Sequence, residues 1–252
     1  MAKQKGIFKV KGTLDDVTFY KTKNDGFLIR QKSTVDGKRI ATDPSFQRTR
    51  ENNSEFGAAG SAGKLLRSAF KGLTINASDS QLVSRLVTEM IKVLQEDLVS
   101  LRGKRNVLDG ETELLTGFEF NKDGLLSTTL FAPYVASIDR PTGALQVDVA
   151  PFIPTNMVSA PGGATHFKIN AAGASIDFEK KVYVVDVQAS AVLPWNNTLT
   201  TALSLISNVG AASTHPLFLV VGIEFFQEVN GGSYPLKNGA FNCLQIVKVS
   251  GI

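Results

Sequence analysis

The sequence predicts an α+β protein in two parts, a basic β-ribbon and two-helix domain over residues 1–110 and an acidic antiparallel β-sandwich over 111–252. Three observations predict it. Apolar residues alternate with period two at both ends of the chain, they recur at three- and four-residue spacing in the middle, and the charge changes sign near the change of spacing. Residues 1–105 hold 20 Lys/Arg against 11 Asp/Glu and residues 106–252 hold 7 against 12, within a formal net charge of +4. The 43% hydrophobic and 20% charged content excludes an intrinsically disordered chain, and a single Cys excludes a scaffold built on disulfides. A chain of 252 residues can bury enough surface to fold without either staple.

Residues 6–13, 17–22 and 26–32 read as a three-stranded ribbon, broken by Leu14-Asp15-Asp16 and by Lys23-Asn24-Asp25-Gly26, a hairpin signal because Asn, Asp and Gly tolerate positive φ. In the first strand Phe8 and Val10 alternate with Lys9 and Lys11, which predicts one apolar and one basic face. Asp43-Pro44 then opens a helix, Asp as N-cap and Pro at the first position, running to about Phe70. Its centre holds Gly57, Gly60 and Gly63, each costing up to about 1 kcal/mol against Ala, which points to a close crossing or a break. A clearer helix spans about Asp79 to Asp97, with Leu82, Leu86, Val87, Met90, Ile91 and Leu94 on one side.

From Leu114 the period is two. Candidate strands are 117–120, 125–131, 135–138, 145–149, 165–169, 174–178, 182–192, 217–229 and 241–249, separated by Gly-, Pro- and Asn-containing turns; residues 197–209 are ambiguous, a short helix crossing between sheets being one reading. This spacing is similar to that of an immunoglobulin or fibronectin-type sandwich. The Cys, Trp, Cys pattern of antibody domains is absent, so the likeness is one of architecture.

Little in the chain points to catalysis, and the expectation is a protein that is not an enzyme, with no cofactor and no metal. Gly57 to Lys64 superficially matches a phosphate-binding loop, but five residues rather than four separate Gly57 from Gly63, and Leu65 stands where Ser or Thr would hold magnesium. His166 and His215 are the only imidazoles, too few for a multi-histidine metal site. No nucleophile-elbow arrangement occurs, and neither Glu111 with Glu113 nor Asp177 with Glu179 sits in a catalytic context. Cys243 reads as a small core residue. The start of the chain lacks an apolar leader and no run reaches the ~18 apolar residues of a membrane helix, which predicts no membrane span and a cytoplasmic protein, with release by a non-classical route left open.

The ribbon with Gly6, Gly12, Phe19-Tyr20 and Gly26-Phe27, then Asp43-Pro44, the helix text Gln-Arg-Thr-Arg-Glu-Asn at 47–52 and a C-terminal β domain together resemble an uncharacterised family of Bacteroidota proteins. The resemblance covers essentially the whole chain. It implies a bacterial source and assigns no functional residue.

Two functions are compatible with the charge asymmetry. The first is a structural protein that self-assembles into a filament or other homo-polymer, its basic and acidic halves meeting head to tail; a phage-like or contractile-apparatus component would be a variant. The second is a nucleic-acid-binding module. For either, the contact residues expected are Lys9, Lys11, Lys21, Lys23, Arg30, Lys32, Arg48 and Arg50, with Lys38 and Arg39 beside them.

Overall fold

The structure, a computed structural model, describes residues 2–22, 25–32 and 35–251, with the backbone alone at 237 and 238. Helices and antiparallel sheets make up two compact units, Met1–Glu51 and Asn52–Ile252.

In the first unit, β1 (Ala2–Lys3), β2 (Gly12–Leu14), β3 (Val17–Thr22) and β4 (Gly26–Gln31) form a sheet ordered β1-β4-β3-β2. Asp15, at φ 51°, makes the β2–β3 turn. The Lys23-Asn24 part of the expected hairpin break lies outside the described residues. The expected strand over 6–13 survives only at its end: residues 4–11 form a loop, so the predicted alternation of apolar and basic faces does not exist. The cause is local. The side-chain amide of Gln4 donates to the Val10 carbonyl at 3.1 Å and accepts from the Val10 N–H at 3.0 Å, occupying backbone groups that a ladder would need. Downstream, α1 (Gly37–Thr42) is capped by Asp36, and Asp43 caps a 3₁₀ turn at Pro44–Phe46 through the Ser45 N–H. The Asp43-Pro44 signal thus marks that turn, and α2 (Gln47–Ala69) follows it and runs on into the second unit. Among the described residues of the first unit Leu28 is the one buried side chain; Val17, Phe19, Tyr20, Phe27 and Ile29 are half-buried.

The second unit continues with α3 (Lys71–Thr74), α4 (Leu82–Gln95), α5 (Leu126–Thr129), β5 (Tyr134–Asp139), β6 (Ala144–Val149), α6 (Pro154–Met157), β7 (His166–Asp177), β8 (Val182–Ala189) and β9 (Leu193–Pro194). It ends with β10 (Leu203–Asn208), β11 (Leu217–Val229), β12 (Gly232–Pro235) and β13 (Cys243–Ser250). One sheet is ordered β10-β6-β5. In the other, β7 and β11 lie at the centre, with β8 and β9 along the outer edge of β7 and β12 and β13 along that of β11.

Strand alternation sends side chains to both faces of the central pair, and both faces are covered. Phe167, Ile169, Ala171, Leu219, Val221 and Ile223 pack against Leu145, Val147 and Leu205 of the three-stranded sheet. Ala172, Ala174, Ile176, Phe218 and Val220 pack against Ala59, Ala62 and Leu66 of α2 and Leu86, Met90 and Val93 of α4. The helices therefore share a core with the sheet, and the chain divides at Glu51/Asn52, not at the expected 110/111. Gly173 allows a close approach of the two sheets: a Cβ there would stand 2.9 Å from the Ser207 Cβ.

Three local expectations change. Residues 203–208 are a strand rather than a helix, because Leu205 alternates into the inter-sheet core. Residues 126–129 form α5, closed by Thr129 Oγ1 donating to the Leu125 carbonyl at 2.7 Å, where a strand was expected. The run 117–120 is not a regular strand, yet it lies along β13 through a bridge of Glu119 to Gln245 and backbone bonds of Gly117 and Phe118 with Ile246 and of Phe120 with Leu244. The helix stripe at 82–94 is as the spacing predicts, with Leu82, Leu86, Met90, Val93 and Leu94 buried.

Through Gly57, Gly60 and Gly63 α2 is unbroken, so no phosphate-cradling loop exists there. Only Gly63 is a close crossing, a Cβ built on it lying 3.5 Å from Leu86 Cγ, whereas Gly57 and Gly60 meet nothing within 4 Å. Gly57→Ala and Gly60→Ala should each stabilise the protein by about 0.5–1 kcal/mol, and Gly63→Leu should destabilise it by about 1–3 kcal/mol through overpacking on α4. Thermal unfolding of the three variants checks this; equal effects would show that the crossing does not discriminate among them.

Candidate functional site

The expected basic residues divide into free and committed ones. Register places Lys21 directly opposite Phe27 on one face of the first-unit sheet, and Arg30 opposite Thr18 on the other. Lys11 and Lys21 both stand over the Phe27 ring, 5.9 and 5.3 Å from its centre, and the Arg30 guanidinium lies 5.4 Å from the centre of Tyr20. Lys32 is exposed after β4, with its backbone N–H on the Asp16 carbonyl, and Lys23 lies outside the described residues. Arg50 is committed, donating to the carbonyls of Ile40 and Asp43 at 2.8 and 2.9 Å where α1 ends, and Arg48 pairs with Glu51 at 3.1 Å. Arg39 pairs with Asp43 at 3.1 Å. The cations thus form two groups with rings on opposite faces of the sheet, Lys11 and Lys21 at Phe27 and Arg30 at Tyr20.

Sequence reasoning missed what lies beside it. Residues 5–9 form a loop closed at its base by Gln4, which also donates from its amide to the Leu28 carbonyl at 3.2 Å, while Lys9 Nζ donates back to the Gln4 carbonyl. Its tip carries Ile7 and Phe8, 95% and 89% exposed, between Lys5 and Lys9. Gln4 was the signal, a side chain able to imitate a strand partner.

The second unit carries a groove of about 540 Å³ between α2, the turn at 106–109 and the β7–β8 turn. Leu65, Val107 and Phe178 line it, with Asp109, Glu179 and Lys181 exposed at its rim. The wall is rigid. Asp97, fully buried, accepts from the N–H groups of Val99, Ser100 and Asn106 at 2.8–3.0 Å; burial opposes ionisation, and these bonds hold its carboxyl below the usual range. Asn106 in turn accepts from the N–H groups of Leu108 and Asp109.

The polar interior is structural. Arg140 donates to the carbonyls of Ser213, His215, Ser250 and Gly251 at 2.6–2.8 Å, tying the β5–β6 turn to two other segments. Nearby, Ser213 Oγ shares a hydrogen bond of 2.8 Å with Ser175 Oγ and accepts from the His215 backbone N–H, while the His215 ring lies 3.7 Å from Asp177. Burial pushes the Cys243 thiol up to about 12. Glu119 accepts at Oε1 from the Leu126 N–H and the Gln245 amide at 2.9 and 2.8 Å, and its Oε2 is buried with no partner; burial outweighs these bonds and pushes its carboxyl up to about 7. Among the described residues no group of three or more His, Cys, Asp or Glu is placed to hold a metal ion, and no helix is long and apolar enough to cross a membrane.

No protein-family model matches the chain, and no curated protein matches it in sequence. Two solved structures are weakly similar. One, from work on pH-induced modulation of Streptococcus parasanguinis adhesion by Fap1 fimbriae, is 13% identical over 47% of this chain and 80% of its own, with a TM-score of 0.22. The other, the human F-spondin reeler domain, is 13% identical over 50% of this chain and 99% of its own, with a TM-score of 0.18. At such scores neither carries an argument.

Glu119 generates a pH dependence with a definite sign. Its folded value lies above the ordinary glutamate value, so between about pH 4.5 and 7 the folded chain holds a proton that the unfolded chain releases, and stability falls as pH rises through that window. Full shielding would make the loss about 3 kcal/mol; partial exposure reduces it to roughly 1–2 kcal/mol. Glu119→Gln should abolish this part of the fall in melting temperature between pH 5 and pH 8, and an unchanged profile would contradict the assignment.

Proposed function

We propose that the chain is a non-enzymatic structural protein that self-assembles into a filament or other homo-polymer through head-to-tail contacts, with the first unit as the connecting piece. The observation that carries this reading is that the first unit has only a minimal core: Leu28 is its one fully buried side chain among the described residues, and Ile7, Phe8 and Leu14 are 95%, 89% and 72% exposed. A small sheet is marginal in water without a covered face, and apolar surface left open marks a partner. Charge supports a copy of the same chain as that partner. Residues 1–51 hold 12 Lys/Arg against 6 Asp/Glu, and residues 52–252 hold 15 against 17. Contacts between unlike surfaces of identical chains grow rings or open helices. As part of the same proposal, the facing three- and six-stranded sheets are read as an immunoglobulin/fibronectin-like sandwich in a cytoplasmic bacterial protein.

The second reading, nucleic-acid binding, is favoured by one observation, the stacking of Lys11 and Lys21 on Phe27 and of Arg30 on Tyr20, since exposed cations beside rings suit phosphates beside bases. The commitment of Arg48 and Arg50 within the unit weakens it.

Sedimentation velocity over a range of concentrations separates the readings. The full chain should form species that grow with concentration and shrink in high salt, and a variant lacking residues 2–32 should stay monomeric with the β-rich unit folded, because both apolar cores lie within 52–252. A monomer at all concentrations, or a truncated protein that assembles equally well, would overturn the proposal; co-sedimentation with single-stranded oligonucleotide by a monomer would favour the second reading.

A further inference from the structure

We propose that the loop tip Ile7-Phe8 of one copy seats in the groove between α2, the 106–109 turn and the β7–β8 turn of a second copy. The inference rests on the self-assembly reading and names its contact. Two adjacent apolar side chains almost entirely in water are costly to keep, and here they are held out deliberately: Gln4 grips Val10 with both ends of its amide and fixes the base of the loop to β4. The tip is therefore ordered before it binds, which lowers the entropy lost on docking.

The second unit offers the matching shape. Its groove of about 540 Å³ falls in the size range of pockets that bury a compact apolar group, about 300–1,000 Å³, and its floor is apolar at Leu65, Val107 and Phe178. Charge selects the orientation. The loop tip stands between Lys5 and Lys9, and the groove rim carries the exposed carboxylates of Asp109 and Glu179, against one cation, Lys181. Two other hollows suit the loop less well, the one of about 400 Å³ having Arg85 in its lining and the one of about 280 Å³ the polar wall of Asp123, Thr128 and Ser159; a third, of about 380 Å³, is apolar at Tyr134, Val149 and Leu203 but offers the single carboxylate of Asp148 against the two of the groove. Because loop and groove lie on different units, the contact is heterologous and repeats from copy to copy.

The test is disulfide trapping between two separate variants, Phe8→Cys and Leu108→Cys, mixed in equal amounts under mild oxidation. Native Cys243 does not compete, being buried with its thiol pushed up to about 12. A covalent dimer that forms in the mixture and in neither variant alone supports the proposal. Phe8→Ser should weaken association about tenfold or more, as removal of a central aromatic anchor does. Lys9→Glu should weaken it less, and its combination with Asp109→Lys should recover part of the loss. Normal sedimentation of the wild type with no trapped dimer and no effect of Phe8→Ser would overturn this contact while leaving self-assembly standing. A wild type that never associates would overturn both. A disulfide closing within one chain of a variant that carries both Phe8→Cys and Leu108→Cys would overturn it as well, since the loop would then occupy its own groove.

Discussion

Ten cross-strand pairs, from His166 opposite Phe226 to Ser175 opposite Leu217, join β7 to β11, and the second unit is arranged around the need to cover both faces of that pair. Antiparallel sheets commonly leave one face to water. Here the helices take one face and the β10-β6-β5 sheet takes the other, so Leu217 to Phe225 reads as an unbroken apolar run with Glu224 its one charged member. Glu224 is tolerated because Lys168 lies 3.3 Å from it and the Asn76 amide donates to it at 3.3 Å. Small residues at 171–174 keep β7 thin enough for close approach on both sides, and Arg140 ties the β5–β6 turn to the 213–215 loop and the end of β13.

The first unit obeys the opposite condition. Its four strands pair, yet Phe19, Tyr20 and Phe27 stay partly open to solvent, and its most apolar tip points into water. The second unit covers both faces of its central pair within itself, whereas under the proposed reading a second copy covers the first unit. On that reading the excess of cations in the first unit suits the acid-rimmed groove of the second unit on another copy.

The parts of the fold legible in the sequence were those where one local pattern fixes one structure. The stripe of α4 and the hairpin of β3 and β4 are of this kind. Most strands of the second unit were legible as strands, β10 excepted, but not the helical layer that buries one face of the central pair, because a doubly covered antiparallel strand and any other buried run look alike in one dimension. Leu125–Phe131 has strand composition, and residues 126–129 fold as a helical turn because Glu119, seven residues upstream, accepts the Leu126 N–H and Thr129 Oγ1 donates to the Leu125 carbonyl. The candidate site was half legible. Charge counting found Lys11, Lys21 and Arg30, but residues 6–13 were read as a strand since nothing in their alternation reveals that Gln4 will take the ladder groups of Val10; the groove unites residues 58, 107 and 178, which no spacing connects.

The central claim, that the first unit is completed only by another copy, is tested most directly by hydrogen exchange at rising protein concentration. The account predicts that amides of residues 17–22 and 26–31 gain protection as concentration rises, while those of β7 and β11 stay equally protected throughout. Protection of the first-unit strands that is already high and independent of concentration would contradict it.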